Sequence, residues 1–170
     1  MMMRTSIPAI VLALLVTITW PSSVDAAESE FDWPLQPRPR VERAFDKPEH
    51  NWLPGHRGVD LAGQPDEAVL SAGAGVVVFA GTVADKPVVS VDHDGGLRTT
   101  YEPVVARVRA GQRVGVGTVL GVLEPDHPGC TAAACLHWGL RRSREYLNPL
   151  RLVDATPLRL KPLQPDHARG

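Results

Sequence analysis

Apolar residues in this chain come in short runs, and no window of a dozen residues keeps the spacing of an amphipathic helix. Valine and threonine recur in the runs, and both favour strands because their branched side chains pack well on a pleated sheet. Glycine (15) and proline (16) are abundant, as is typical of a fold with many turns. The pattern therefore predicts an all-β fold with little helix. The expected strands lie at residues 41–45, 68–71, 75–84, 88–92, 97–101, 119–123 and 136–141.

Length and charge limit the class of protein. A chain of 170 residues, less a processed N-terminus, is long enough for one domain with its own hydrophobic core. The formal net charge is −1, and no long basic stripe interrupts the sequence. Proteins that bind nucleic acid concentrate positive charge against the phosphates, so nucleic acid is not an expected partner.

The N-terminus is typical of a targeting segment. Residues 1–26 are predicted to be a signal peptide, with a positive charge at Arg4 and an apolar stretch at 7–20. That stretch is short for a membrane span, and small residues at 24–27 suit cleavage. We expect export to a secreted, cell-wall-associated location, with no stable membrane span after cleavage. The alternative is an uncleaved anchor.

Three further regions follow the signal peptide. Residues 27–40 contain several prolines and are predicted to be a stiff, extended linker. Residues 41–155 form the predicted domain, and residues 156–170 form a proline-rich tail that we expect to be loose.

His56, Asp60 and His137 are the residues that carry the chemistry. Two imidazole nitrogens and one carboxylate are a ligand set suited to catalytic Zn²⁺. Gly58 lets the backbone approach closely between the first two, and a strand-like segment at 59–61 follows, so both side chains face the same way. Three protein ligands would leave a position for a water whose pKa the metal lowers to about 7. The pattern indicates a hydrolase.

Two cysteines stand close together, at Cys130 and Cys135. In an exported chain such a pair favours a disulfide, which would hold the strand that carries His137. The alternative is that Cys135 is a thiolate and a fourth zinc ligand, which would make the site structural.

The motifs resemble those of the lysostaphin-type (LytM-like) zinc metalloendopeptidases, which cut the peptide cross-links of bacterial peptidoglycan. His56, Gly58 and Asp60 match the first family motif, His-x-Gly-x-Asp, and His137 matches the last position of the second, His-x-His. The resemblance covers roughly residues 40–153 and includes segments similar to the family's hairpins and turn unit at 65–80, 88–101 and 108–123. It implies a single β-sheet domain with hairpins around a zinc groove, and peptidoglycan stem or cross-link peptides as the substrate.

Two positions depart from the family's pattern. The family has catalytic histidines, which are not ligands, at the positions of Pro103 and Cys135. Each positioned acid–base group is typically worth about 10²–10⁴ in rate, so we expect weak or partner-dependent activity.

Other residues could assist the zinc. Tyr101 shares a strand face with position 103 and, like a neighbouring arginine, could stabilise an oxyanion. His127 lies in a Pro-bounded loop that leads to Cys130 and could donate a proton. His93, in an Asp/Gly-rich turn, is expected to be solvated or to stabilise the turn.

Two other function classes remain open. One is a zinc-retaining, catalytically degenerate module that binds peptidoglycan or regulates another cell-wall hydrolase. The other is a carrier domain modified on Lys86, because Val108, Gly111, Val114 and Gly117 also resemble the turn unit of biotinyl and lipoyl domains. Pro87 after the lysine, the export signal and the zinc triad disfavour a carrier.

Overall fold

Antiparallel strand pairing organises residues 30–125 and 127–154, which are the residues that the computed structural model describes. The strands in these residues are β1 (Val41–Arg43), β2 (Gly58–Gly63), β3 (Ala68–Leu70), β4 (Gly75–Val83), β5 (Lys86–Asp92), β6 (Leu97–Glu102), β7 (Val104–Ala106), β8 (Arg113–Val114), β9 (Val119–Leu123), β10 (Ala134–Arg142) and β11 (Glu145–Leu147). Short 3-10 turns at Asp94–Gly96 and Pro149–Leu152 are the helical elements of the same residues. The expected all-β fold is confirmed.

The strands form two sheets. The larger has the order β1-β2-β10-β6-β5-β4-β8, with β11 paired to β10, and the smaller has the order β3-β9-β7. The central position of β10, between β2 and β6, brings together residues that are far apart in the sequence.

Side chains on β10 alternate between two environments, as the pleat of a strand requires. Leu136, Trp138 and Leu140 point into the core and are almost completely buried. His137 and Arg141 lie on the opposite face and remain partly exposed. One face of the large sheet therefore packs in the core, and the other face can hold functional side chains.

The predicted strands agree closely with the observed ones. The strand at 119–123 has the predicted bounds, and the ends of the other six differ by at most two residues. Strands β7, β8 and β11 were not predicted, because two or three residues are too few to show an alternating pattern. Strand β2 is longer than the strand-like segment expected at 59–61.

The segment at 27–40 is more than a linker over its described part. Phe31, Trp33 and Leu35 are buried in the hydrophobic core, where they are 7%, 8% and 0% exposed. Backbone bonds from Asp32 N to Ala72 O and from Leu70 N to Pro34 O hold the segment against the domain. The apolar residues between its prolines are stabilised by burial, so this part of the predicted linker belongs to the domain.

The predicted signal peptide (1–26) and tail (156–170) lie outside the described residues, as do residues 27–29. Among the residues that are described, no helix is long and apolar enough to cross a membrane.

Candidate metal centre

Asp60 and His137 are register partners on the neighbouring strands β2 and β10. His56 precedes β2 and is held by paired backbone bonds with Asp46, at 2.8 and 3.0 Å. The strand pairing therefore fixes two of the residues from opposite ends of the domain sequence, and a backbone bridge fixes the third.

The three side chains converge on one point. His56 Nε2 lies 3.0 Å from Asp60 Oδ1 and 3.1 Å from His137 Nδ1, and His137 Nδ1 lies 2.9 Å from Asp60 Oδ1. The side chains of His56 and Asp60 are buried, whereas that of His137 is 20% exposed and opens the site to solvent.

The other nitrogen of His56 fixes its tautomer. His56 Nδ1 lies 2.7 Å from the backbone oxygen of Ala44. A carbonyl oxygen can only accept, so Nδ1 carries the proton and donates it. The lone pair of Nε2 then points towards Asp60 and His137, which is the arrangement that metal-binding histidines adopt.

Asp60 is held in its charged form. Burial by itself raises the pKa of this carboxyl, but hydrogen bonds from His127 and His137, and the positive charge that His56 and His127 carry when protonated, outweigh that effect. The net result is a pKa well below the usual value of 3.8. The centre therefore has a carboxylate at any physiological pH.

These residues fit a zinc ion. A tetrahedral zinc with ligands at 2.0–2.1 Å would separate neighbouring ligand atoms by about 3.3 Å. The three observed separations, 2.9, 3.0 and 3.1 Å, are close to that value. No proton can lie between His56 Nε2 and Asp60 Oδ1 when both are acceptors, so a cation is the natural partner for them. The group of three forms one potential metal site.

Gly58 is required by the position of His137. A Cβ at residue 58 would lie 2.5 Å from the backbone oxygen of Trp138 and 2.7 Å from His137 Nε2. Both contacts are shorter than real Cβ atoms show, so any side chain here would displace the imidazole.

His127 reaches the same centre from the loop before β10. Its Nε2 lies 3.2 Å from Asp60 Oδ1, and its side chain is 9% exposed. Its ring stacks on that of His137, with centroids 5.9 Å apart. His127, which the sequence suggested as a proton donor, therefore lies at the metal centre.

A disulfide joins Cys130 and Cys135, as predicted. It excludes the alternative in which Cys135 is a zinc ligand, because the sulfur that would bind the metal is bonded to Cys130. The bridge ties the loop that carries His127 to the start of the strand that carries His137.

Comparison with known proteins agrees with this geometry. The model of peptidase family M23 matches residues 54–149, which is more than half of the chain and includes all three residues of the metal centre. The chain belongs to peptidase family M23.

Relatives and solved structures extend the result. Proteins of Mycobacterium tuberculosis and Mycobacterium bovis are 54% identical over 157 residues, which is 90% of this chain and 63% of each relative. The chain therefore spans less than two thirds of the length of these relatives. Csd3 of Helicobacter pylori is 26% identical, with a TM-score of 0.59 over 72% of this chain and 34% of Csd3. Lysostaphin, 18% identical with a TM-score of 0.54 over 68% of this chain and 49% of its own, shares the fold. The resemblance to lysostaphin-type peptidases is confirmed.

Tyr101 does not lie at the metal centre of this M23 domain. Its side chain is completely buried in the core, in register with Trp138. Its hydroxyl accepts hydrogen bonds from Ala72 N and Thr99 Oγ1, both at 2.9 Å, and burial raises its pKa. The expectation that Tyr101 stabilises an oxyanion is wrong, because residue 101 faces the core side of β6.

Glu102 faces the centre instead. It is the register partner of His137 on β6, and its carboxylate accepts a bond of 2.9 Å from Lys86 Nζ. Pro103, at one of the two departures from the family's pattern, is buried and lines a small cavity with His127. Lys86, the residue that a carrier domain would modify, is ion-paired with Glu102 at the start of β5.

Apart from His127, the residues that surround the triad were not predicted from the sequence. A cavity of about 310 Å³ beside it is lined by Arg43, Gly55, His56, Arg57, Lys86, Glu102, His127, Pro128 and His137. Arg57 adjoins His56 in the first motif and could have been suspected. Lys86 and Glu102 could not, because only strand register brings them to His137.

His93 lies away from the centre and is buried, so of the two predicted alternatives, a solvated or a turn-stabilising histidine, the structure favours the second. Its Nδ1 bonds to Ala74 O at 2.8 Å and its Nε2 to Thr99 Oγ1 at 2.7 Å. Burial lowers the pKa of His93. The residue therefore ties the turn before β6 to the core.

Proposed function

We propose that this M23 protein is an exported zinc metalloendopeptidase that cleaves peptide cross-links of peptidoglycan, with weak or partner-dependent activity. The observation that carries the proposal is the convergence of His56 Nε2, Asp60 Oδ1 and His137 Nδ1 within 3.1 Å of one another. Export is supported by the sequence pattern of residues 1–26.

His56, Asp60 and His137 would hold the metal. A zinc ion in such a site polarises a carbonyl and lowers the pKa of water. The protein contributes a fixed tautomer at His56, through Ala44 O, and an ionised carboxylate at Asp60. Three protein ligands leave room for a substrate, because His137 is the ligand that is exposed to the groove.

His127 is the residue best placed to move a proton. Its Nε2 lies beside Asp60, where it holds a proton towards the carboxylate. Its Nδ1 is buried and has no hydrogen-bond partner among residues 30–125 and 127–154. An imidazole with one unpaired nitrogen next to a metal centre can serve as an acid–base group, and we assign it that role.

Activity is proposed to be weak because one assisting imidazole stands where the family's pattern has two. Neither Pro103 nor the disulfide-bonded Cys135 can carry a proton to a leaving amine. Each missing group lowers the rate by about 10²–10⁴. A partner protein that closes the groove or supplies a proton donor would raise the rate of cleavage.

The test combines metal content with digestion of purified peptidoglycan. We expect the purified mature protein to contain close to one zinc per chain and to release new amino termini slowly. His137→Ala should lose both properties. The control is His50→Ala, since His50 is exposed and stacks on Trp52 in a loop before the metal motif. Protein without metal after refolding with zinc, or cleavage that survives His137→Ala, would contradict the proposal.

A second function is favoured by the same two departures. With Pro103 and Cys135 in place of histidines, the domain could bind peptidoglycan peptides or regulate another wall hydrolase without cleaving. It would then hold zinc and sediment with peptidoglycan but release no amino termini. Stimulation of a second hydrolase by both the wild type and His127→Ala would favour this function over catalysis.

A further inference from the structure

The face of the large sheet that carries the metal centre is arranged in rows across the strands. His137, Gly139 and Arg141 alternate along β10 and share this face. Their register partners on β6 are Glu102, Thr100 and Arg98. Successive rows lie two residues apart along each strand, which is about 7 Å.

The middle row consists of small residues. It contains Gly58 on β2, Gly139 on β10, Thr100 on β6 and Ser90 on β5, all in register. A Cβ added at Gly139 would meet its nearest atoms at ordinary contact distances of 3.6 to 3.9 Å, so the absence of large side chains keeps this row low between its neighbours. A trough therefore crosses the strands one row away from His137, with a cavity of about 210 Å³.

Cations dominate the walls of the trough. Its lining includes Arg57, Arg98 and Arg141, with Glu102 as the acidic residue among them. Arg98 is neutralised by a two-pronged pair with Asp92, in which Nη2 donates to Oδ2 at 2.7 Å. Glu102 is neutralised by Lys86. Among the described residues, no carboxylate lies within 4.0 Å of the guanidinium of Arg57 or of Arg141. Neither guanidinium therefore makes a direct ion pair, and the nearest acidic influence on Arg141 is Asp92, whose pKa its charge lowers but whose oxygens are bonded to Arg98.

Both guanidinium groups are held in place by neutral partners. Arg57 Nη2 donates to the backbone oxygens of Asn51 and Leu53, the latter at 3.0 Å. Its Cζ lies 5.7 Å from the ring centroid of Tyr146. Arg141 Nη1 donates to Ser143 O at 2.9 Å. A guanidinium has five N–H donors, so most donors of both groups remain available to a ligand.

We infer that this trough is a subsite for a free carboxylate on the substrate peptide, bound by Arg57 and Arg141. Paired N–H donors of arginine match the two oxygens of a carboxylate, and both residues are half-buried, where charged hydrogen bonds are strong. The cavity shares Arg57, Glu102 and His137 with the one beside the metal triad, so a peptide can span both. The inference rests on the proposed function for the identity of the peptide and adds the acidic group that it must carry.

The test measures equilibrium binding of cross-linked stem-peptide dimers to the full mature protein. One sample keeps its carboxylates free, and the other has them converted to carboxamides. We expect the free acid to bind about tenfold more tightly, which corresponds to about 1.4 kcal/mol. Arg141→Gln should remove this preference, and Arg141→Lys should retain part of it through charge alone. The matched control is Arg113→Gln, since Arg113 is exposed on β8, outside the lining of this cavity.

The outcomes separate the subsite from the proposed activity. Preference for the free acid that is lost in Arg141→Gln, without peptide cleavage, supports the subsite and favours the binding function over the endopeptidase. Cleavage together with equal binding of the free-acid and carboxamide dimers supports the endopeptidase and contradicts the subsite. Binding of neither dimer at millimolar concentration would overturn the subsite. Arg57 also holds the loop at Asn51 and Leu53. The peptide binding of Arg57→Gln is therefore compared with that of the wild type only if the two proteins unfold at the same temperature.

Discussion

His137 and Asp60 are direct neighbours across the β2–β10 ladder, and His137 Nδ1 lies 2.9 Å from Asp60 Oδ1. The contact depends on strand register. A slip of one residue would turn His137 to the core face and replace it by Leu136 or Trp138. Burial of those two residues therefore fixes the register, and the register in turn assembles the metal centre.

The pair Gly58 and Gly139 gives a prediction with a built-in control, since the two glycines are register partners. Gly58→Ala places a methyl 2.7 Å from His137 Nε2 and 2.5 Å from a backbone oxygen. We expect it to lower the free energy of unfolding by about 1–3 kcal/mol, in the range of overpacked sites, and to weaken zinc binding. Gly139→Ala meets only ordinary contacts and should change neither by much. Denaturant unfolding and zinc titration measure both, and equal effects of the two changes would contradict the assignment.

The Cys130–Cys135 bridge is predicted to support activity without being needed for zinc. Without reductant, alkylation should label neither cysteine. Replacing both by serine should lower the free energy of unfolding by about 2 kcal/mol, the value expected for so short a loop. Zinc content should stay near that of the wild type, because neither sulfur is a ligand, whereas cleavage should fall as the loop of His127 is released. Loss of zinc from the double serine variant would show that the cysteines do more than hold the loop.

His127→Ala tests the acid–base assignment. Its imidazole contacts Asp60 but is not among the three atoms of the metal site. We expect zinc content to be retained and cleavage of purified cross-linked peptides to fall by about 10²–10⁴. Unchanged cleavage would exclude His127 as the proton donor.

Restoring the family's pattern is predicted to raise activity. The variant combines Pro103→His and Cys135→His with Cys130→Ser, which avoids an unpaired thiol. If the family's two histidine positions are what this chain lacks, cleavage should increase over the wild type. The matched control, Cys135→Ser with Cys130→Ser, removes the bridge without adding a histidine. Wild-type cleavage already at 1–10³ s⁻¹, the usual range for enzymes, would contradict the expectation of weak activity.

His93 is predicted to make stability depend on pH. Burial lowers its pKa in the folded state below the usual 6.5, so the folded protein favours the neutral ring. The charges of Asp92, Glu30 and Asp94 oppose this effect without overcoming it. The contribution of His93 to the free energy of unfolding is therefore fully present above pH 6.5. It is lost as the pH falls below 6.5 towards the lowered pKa of the folded state, and the free energy then changes by at most about 1.4 kcal/mol per pH unit. His93→Gln should cost more stability at pH 8 than at pH 5, as measured by denaturant unfolding, and an equal cost at both would refute the titration.

The sequence by itself determined the fold class, most strand positions and the members of the metal triad. Strands such as Val119–Leu123 follow from local alternation, which needs no tertiary context. The motif of His56, Gly58 and Asp60 is equally local, and two cysteines in the chain allow one intramolecular pairing. These features depend on residue type and near spacing.

Tertiary structure alone decided which face of β6 lies beside the metal centre. Alternation shows that residues 101 and 103 share a face, but not that Tyr101 packs with Trp138 in the core while Glu102 stands beside His137. Likewise, the sequence named His127 as the candidate proton donor only from its place before Cys130, and its contact with Asp60 follows from the loop's path before β10. Register and loop path are set by burial summed over the whole sheet, so no local pattern contains them.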